Sequence, residues 1–306
     1  MLGQFIETLI GGLLTGVLYA LVALGFVLIF KASGVFNFAQ GAMVLFAALA
    51  VARLAEVVPL PLAVALAVAI MIALAYAIEF LVLRRLVNQE GIILFMATLG
   101  ITYFLEGFGQ TLWGSDIYKI NLGIPREPIF LFQGVFPGGI LIDREELLAA
   151  FVCALLVAVL AVFFQVTRIG RALRAVADDH QAAQAVGIPL NYIWLIVWGV
   201  SGIVAIAAGM IWGSKLGVQF SISLVALKAL PVLILGGLTS IPGAIVGGLI
   251  IGAGEKLAEV MLGPILIRWF DLAGGGIENW FAYVLALIFL LFRPQGLFGE
   301  RIIERV

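Results

Sequence analysis

The sequence predicts an all-α polytopic membrane protein of about eight transmembrane helices, within a range of about seven to nine, with broken or re-entrant segments. Three observations predict it. Hydrophobic residues make up 64% of the 306-residue chain and charged residues 11%, with a mean hydropathy of +1.21. A soluble domain runs about 25% charged and under about 50% apolar, so the composition argues against soluble enzymes, disordered chains and fibrous proteins. The charges leave uncharged runs close to the roughly 20 residues that cross a bilayer as helix. Glycine-punctuated motifs carrying amides and hydroxyls interrupt two of those runs, in opposite halves of the chain.

Charge bounds the first three spans, which lie between Glu7 and Lys31, between Lys31 and Arg53, and between Glu56 and Glu79. The first is expected to stay in the mature protein. Residues 1–7 carry no basic n-region, and the apolar run at 8–30 exceeds a signal-peptide core of about 7–15 residues. Further spans are expected over residues 91–112, interrupted by Glu106, over 147–167 and over 188–214. A glycine-broken region over 216–254 and a last span ending at Phe292 complete the set, with Glu79 and Glu106 read as span-end residues.

Lys and Arg stay preferentially on the cytoplasmic side of a bilayer. Arg84 and Arg85, then Arg168, Arg171 and Arg174, then Arg293, Arg301 and Arg305 sit beside span ends, and placing all three clusters inside puts the N-terminus outside. An even number of crossings must then follow Arg174, so a glycine-broken stretch is expected to re-enter. Residues 113–146 face outward; their prolines and glycines (Pro125, Pro128, Pro137, Gly138, Gly139) suit a short ordered loop within one transmembrane domain spanning residues 1–306.

The formal charge of -1, from 17 Lys and Arg against 18 Asp and Glu, argues against a nucleic-acid partner and gives no general basic patch for lipid headgroups; membrane lipid surrounds the spans. Cys153 is alone, so no intrachain disulfide framework forms, and with only His180 beside it there is no Cys/His metal set. His180, next to two aspartates, reads as a solvated surface residue.

The first interrupting motif is the run 34–41, with Asn37, Gln40 and Gly41; the second is the run 236–244, with Ser240 and Gly243, followed by Gly247 and Gly248. Backbone that leaves the helix at membrane depth needs protein or a water-filled cavity to satisfy it, which points to a pathway. Glycines that let helices approach closely are the alternative, and both readings are open. Lys215 and Lys228 flank a stretch with Gln219, Ser221 and Ser223. An unpaired Lys at mid-bilayer costs about 2.5–3.5 kcal/mol on insertion scales, so each needs a carboxylate such as Glu255, an anionic substrate group, or an interface to snorkel to. Glu255 itself reads as an interfacial or structural charge.

Residues 168–188 are charged and alanine-rich between two confident spans. Arg171, Arg174 and Asp178 share one helical face and Leu173, Val176 and Ala177 another, which predicts a short amphipathic helix on the cytoplasmic surface. Asp178 and Asp179 would be repelled by an anionic leaflet, so a protein partner is the better reading than lipid.

The run Asn37-Phe38-Ala39-Gln40-Gly41, the loop 170–187, the run 236–248 and the ending Arg293-Pro294-Gln295-Gly296-Leu297-Phe298-Gly299 together resemble the LivH-type permease subunits of ABC importers for branched-chain amino acids. The likeness covers nearly the whole chain and rests on the order of the motifs, none of which is specific alone. It implies an inner-membrane, multi-pass subunit forming half of a translocation pathway. It also implies a second homologous permease subunit, two cytoplasmic ATPase subunits and a periplasmic substrate-binding protein.

In that family the cytoplasmic loop docks on the ATPase as a coupling helix, often through Glu-Ala-Ala, three further residues and Gly. Here the matching run is Gln181, Ala182 and Ala183, then residues 184–186, then Gly187, so Gln181 stands where the charged Glu would be. The resemblance places coupling on Arg171, Arg174, Asp178, Asp179, Gln181, Ala182, Ala183 and Gly187. It places the pathway on Asn37, Gln40, Gly41, Gln219, Lys228, Ser240 and Gly243. Gln40 occupies a position where family members often have His, so a His-specific role does not carry over.

The chain has no Gly-x-x-x-x-Gly-Lys-Ser/Thr loop and is expected to hold no cofactor, with ATP bound by the separate ATPase subunits. No nucleophile, base or metal set suggests an enzyme. A passive channel or ion-coupled carrier for urea or a carboxylate, built on broken helices, is the alternative, and a scaffold a weaker one. Phe36, Phe38 and Met43 near the first break mildly favour a hydrophobic amino acid as the solute.

Overall fold

The computed structural model describes residues 2–86, 89–125, 127–134, 139–178, 180–270 and 276–299. Its α-helices are α1 (Leu2–Ser33), α2 (Gln40–Ala55), α3 (Leu60–Leu81), α4 (Gly91–Trp113), α5 (Arg144–Val166) and α6 (Arg168–Asp178), then α7 (His180–Ala185), α8 (Leu190–Leu216), α9 (Ser221–Gly236), α10 (Ile241–Phe270) and α11 (Ile277–Phe292). Between α4 and α5 the chain carries a two-stranded antiparallel pair, β1 (Ile129–Leu131) and β2 (Ile140–Ile142), with Ile129 opposite Ile142.

By length and composition α1, α3 with its short extension to Arg85, α4, α5 and α8 each suffice to cross a membrane. The pair α9 and α10 passes the same test together but is bent by 113° at a four-residue break, and α2 and α11 are shorter apolar helices. Counted as a single span, the bent pair would put Arg293 on the opposite side from Arg174. A pair that doubles back meets the even-crossing requirement of the positive-inside arrangement.

The chain folds as two compact units. One comprises Leu24–Leu122 and Ala154–Ala226. Its centre is α2, every residue of which from Gln40 to Ala52 is buried, packed among α3, α4 and α8. A helix apolar on all sides must be enclosed on all sides, which explains how 16 residues are held deep in the fold. The facing helices supply small residues where α2 comes closest: a Cβ on Gly209 would lie 2.6 Å from the Val44 carbonyl oxygen. α3 buries Ala63, Ala67, Met71 and Ala75, one residue per turn, and a Cβ on Gly202 of α8 would come within 3.2 Å of Met71 Cβ.

The other unit comprises Met1–Ala23, Gly123–Cys153 and Leu227–Val306. Here the start of α1 meets α10 through two glycine pairs spaced by four, Gly12 and Gly16 against Gly248 and Gly252. A Cβ on Gly16 would lie 2.2 Å from the Gly248 carbonyl oxygen, and one on Gly252 would lie 2.4 Å from that of Gly12. Lipid offers no hydrophobic gain for pairing two apolar helices, so close backbone approach between small residues supplies the attraction. Overpacking such a contact costs about 1–3 kcal/mol or more when backbone must move. Gly248→Leu is therefore expected to collapse the yield of monodisperse protein in mild detergent, whereas Gly11→Leu, with nothing within 4 Å of a Cβ at that position, is expected to leave yield and elution profile unchanged.

Candidate functional site

The first break is built from residues 34–39. Gly34 ends α1 in the left-handed region at φ +68, and its amide donates to Phe30 O. Asn37 Oδ1 then accepts from the Ala39 amide at 3.0 Å, while its Nδ2 faces Met43 Sδ at 3.7 Å, so one buried side chain turns the backbone into α2. Gln40 is equally buried. The Ser201 hydroxyl lies 2.8 Å from Gln40 Oε1 and 3.2 Å from Gly25 O, and Gly25 is glycine because a Cβ there would stand 2.0 Å from Gln40 Nε2. Gly41 approaches the Ser223 carbonyl closely enough that a Cβ would lie 2.2 Å from its oxygen. A train of rings, Phe26, Phe36, Phe38 and Phe95, covers the break with centroids 4.7 to 4.9 Å apart. Asn37, Gln40 and Gly41 thus come together in one unit, enclosed by protein, with the Asn37 amide serving the turn and Gln40 Oε1 meeting Ser201 of α8.

Gln219 lies elsewhere in the same unit, in the link between α8 and α9. Its Nε2 reaches Leu216 O at 3.4 Å, and its neighbour Val218 exchanges backbone hydrogen bonds with Tyr118 of the external segment at 2.7 and 3.1 Å.

The second break joins α9 to α10. Ser240 Oγ accepts from the Gly243 amide at 3.0 Å and starts α10, while Gly237 takes φ +105 after α9. Gly236, Gly243 and Gly247 let the two helices touch backbone to backbone: a Cβ on Gly243 would sit 2.2 Å from Gly236 O, and one on Gly247 2.5 Å from Val232 O. The chain's ending then closes the bend. The amides of Leu297 and Phe298 donate to the carbonyls of Leu235 and Gly236 at 2.8 and 3.1 Å, supplying donors to a helix C-terminus that would otherwise be orphaned. This gives the Arg293–Gly299 motif a structural task that its sequence does not announce.

Lys228 lies in the middle of α9, half-buried, with its Nζ 3.8 Å from a carboxylate oxygen of Glu278 in the first turn of α11. Lys256 on α10 reaches both Glu278 at 3.6 Å and Glu259 at 3.5 Å. Glu255 is only 2% exposed, side-chain hydrogen-bonded with Tyr19, and its Oε1 has no partner. Of the two readings for Glu255, interfacial or structural, its burial favours the second. Expected carboxylate support for Lys228 comes mainly from Glu278, which sequence reasoning did not single out. The signal was available, since an acid opening an apolar helix invites a cation on a neighbour.

Over residues 168–187 the expected single helix is two, α6 and α7, with Asp179 outside the described residues. Arg171 Nη1 donates to Val166 O at 3.2 Å and Arg174 Nη1 to Phe164 O at 2.5 Å. Both arginines therefore cap the C-terminus of α5, where cations are favoured by the helix dipole. Thr167 Oγ1 accepts from the Gly170 amide at 3.0 Å and starts α6, which buries Leu173 and Val176 as its periodicity requires. α7 ends in a Schellman motif: Gly187, at φ +87, donates to Gln184 O, and Ile188 donates to Ala183 O. Ala183 is buried beneath this turn while Ala182 and Gly187 are exposed, and Val186 is 76% exposed. A cleft of about 370 Å³ follows, lined by Gln184 and residues 187–191. Asp178 ends α6 and Gln181 lies within α7.

Broken apolar helices, enclosed polar turns and a compact helical cap between α5 and α8 define a multi-pass membrane permease. The chain belongs to the family described as the permease component of branched-chain amino acid transport systems, which it matches over residues 8–293. It is 30% identical to the high-affinity branched-chain amino acid transport permease BraD of Pseudomonas aeruginosa over 99% of this chain and 98% of that one. It is 28% identical to LivH of Escherichia coli, again over 99% and 98%. A probable LivH of Methanocaldococcus jannaschii is 29% identical over 94% and 91%.

Ser201→Ala leaves Gln40 Oε1 buried without its donor, a loss of about 1–3 kcal/mol. The variant is expected to melt several degrees lower in detergent, with Gly199→Ala, which meets nothing within 4 Å, as the control that does not.

Proposed function

We propose that this chain is one of two permease subunits of an ATP-driven ABC importer in the bacterial inner membrane, and that the solute it passes is a branched-chain or related hydrophobic amino acid. Membership of the permease family and full-length similarity to BraD and LivH support the solute class. The observation that carries the coupling role is the α5–α6–α7 cap. Two arginines and a buried apolar stripe fix α6 rigidly to the end of α5, and the Schellman turn directs α7 into α8, so a push on this cap is transmitted to two spans at once.

In this reading Arg171, Arg174 and Gly187 hold the cap in shape, and Ala182, Val186 and the charged residues Asp178 and Asp179, with Gln181, meet the ATPase. ATP is bound by two cytoplasmic ATPase subunits, a periplasmic binding protein delivers the solute, and a second homologous permease completes the pathway. Asn37, Gln40 and Gly41 hold the break in one unit, and Ser240 and Gly243 the bend in the other. Gln219 stands in the link between α8 and α9, and Lys228 is the charged member of the pathway.

The proposal is tested by purifying the tagged chain in mild detergent, identifying what accompanies it, and assaying ATP hydrolysis and leucine uptake after reconstitution. Recovery with a second permease and two ATPases, and uptake that requires ATP, is expected; transport by the chain alone would make it a channel or carrier. Val186→Asp, on the exposed cap, is expected to leave the protein in the membrane while lowering ATP-driven uptake at least tenfold, and wild-type uptake by this variant would remove the cap from the coupling path.

A further inference from the structure

One cluster of ionisable residues lies within a single unit, drawn from four helices: Tyr19 of α1, Lys228 of α9, Glu255, Lys256 and Glu259 of α10, and Glu278 of α11. Glu255 lies 14 residues beyond Ile241, at about 1.5 Å per residue some 21 Å along α10.

Three features set it apart from an ordinary structural ion pair. Its contacts are loose, at 3.5 to 3.8 Å, against the 2.5 Å of the Arg53–Glu56 pair and the roughly 2.7–2.9 Å of a well-formed charge-assisted bond. Lys228 and Glu278 keep side-chain exposures of 28% and 34%, so both charged heads are open to a ligand. Behind them the nine-tenths-buried Glu255 presents a carboxylate oxygen with no partner, close enough to Lys228 to act on its charge.

We propose that Lys228 and Glu278 form a binding site for the zwitterionic head of an α-amino acid, the ammonium of Lys228 taking its carboxylate and Glu278 its ammonium. The inference rests on the amino-acid reading above. With no solute present the two side chains satisfy each other loosely. A zwitterion carries the same two charges side by side and replaces the internal pair with two closer ones, so the site neither strands a charge when empty nor loses one when filled. Glu255, held by Tyr19, lies beside Lys228. A simple carboxylate, which lacks the ammonium, would leave Glu278 of the opened pair unmatched, and urea, which carries neither charge, would leave both partners unmatched.

The test uses proteoliposomes of the complete importer and radiolabelled L-leucine, with Lys228→Met, Glu278→Gln and the double variant. A purely structural pair is dispensable when both charges are removed together, since such replacements are commonly neutral or stabilising. A substrate site is not. The expected result is that both single variants and the double variant lose at least tenfold in leucine uptake while ATP hydrolysis stimulated by the loaded binding protein stays within twofold. Wild-type uptake by the double variant would overturn the site while leaving the importer reading intact; a wild-type complex that hydrolyses ATP and moves no leucine would overturn both.

Should the variants fail to assemble, a second readout uses Glu259→Cys with Cys153→Ala. Alkylation of that cysteine by a charged maleimide in the nucleotide-free complex is expected to slow at least threefold in excess leucine and not in urea. Equal rates with and without leucine would overturn the site.

Discussion

The breaks in the apolar helices of this protein are governed by the absence of water in its interior. A backbone carbonyl, an amide or a charge that leaves its helical partner must be met by another part of the chain, because the solvent will not meet it. At residues 34–39 Asn37 takes up the Ala39 amide, and Ser201 meets the Gln40 side chain and the Gly25 carbonyl beside it. The bend after α9 exists because the amides of Leu297 and Phe298 return from the far end of the chain to the carbonyls of Leu235 and Gly236. On the cytoplasmic side, Arg171 and Arg174 do the same for the end of α5. In each case the residue that makes the break possible is distant in sequence from, or of a different type than, the glycine that marks it.

Close packing follows from the same constraint. With lipid as apolar as leucine, two helices gain little by hiding hydrocarbon from hydrocarbon, and dispersion and weak polar contacts between backbones decide which faces meet. The glycines of α1 and α10 interlock at Gly12, Gly16, Gly248 and Gly252, and those of α9 and α10 at Gly236, Gly243 and Gly247. Glycine in this chain is therefore chiefly a means of approach, and only at positions such as Gly34, Gly187 and Gly237 is its left-handed backbone the reason for its presence.

Charges within the apolar helices follow the same rule. On sequence alone, Glu255, Lys256 and Glu259 look like the end of an apolar run at residue 254, yet α10 continues to Phe270. Along it Lys256 finds Glu259 and Glu278, and Glu255 finds Tyr19. A span boundary inferred from a charge holds only where the charge has no partner at the same depth.

The sequence by itself determined the class of protein, the positions of most spans, the two breaks and the amphipathic segment after α5, because these rest on composition, period and local turn chemistry. The tertiary structure alone decided what the marked residues touch. It divided the cap into α6 and α7, turned Arg171 and Arg174 into helix caps, enclosed Asn37 and Gln40, and gave Lys228 to Glu278, 50 residues away. The reason is physical. Whether a polar group at membrane depth is tolerable depends on a partner that can come from any part of the chain, and local sequence records the group without recording the partner.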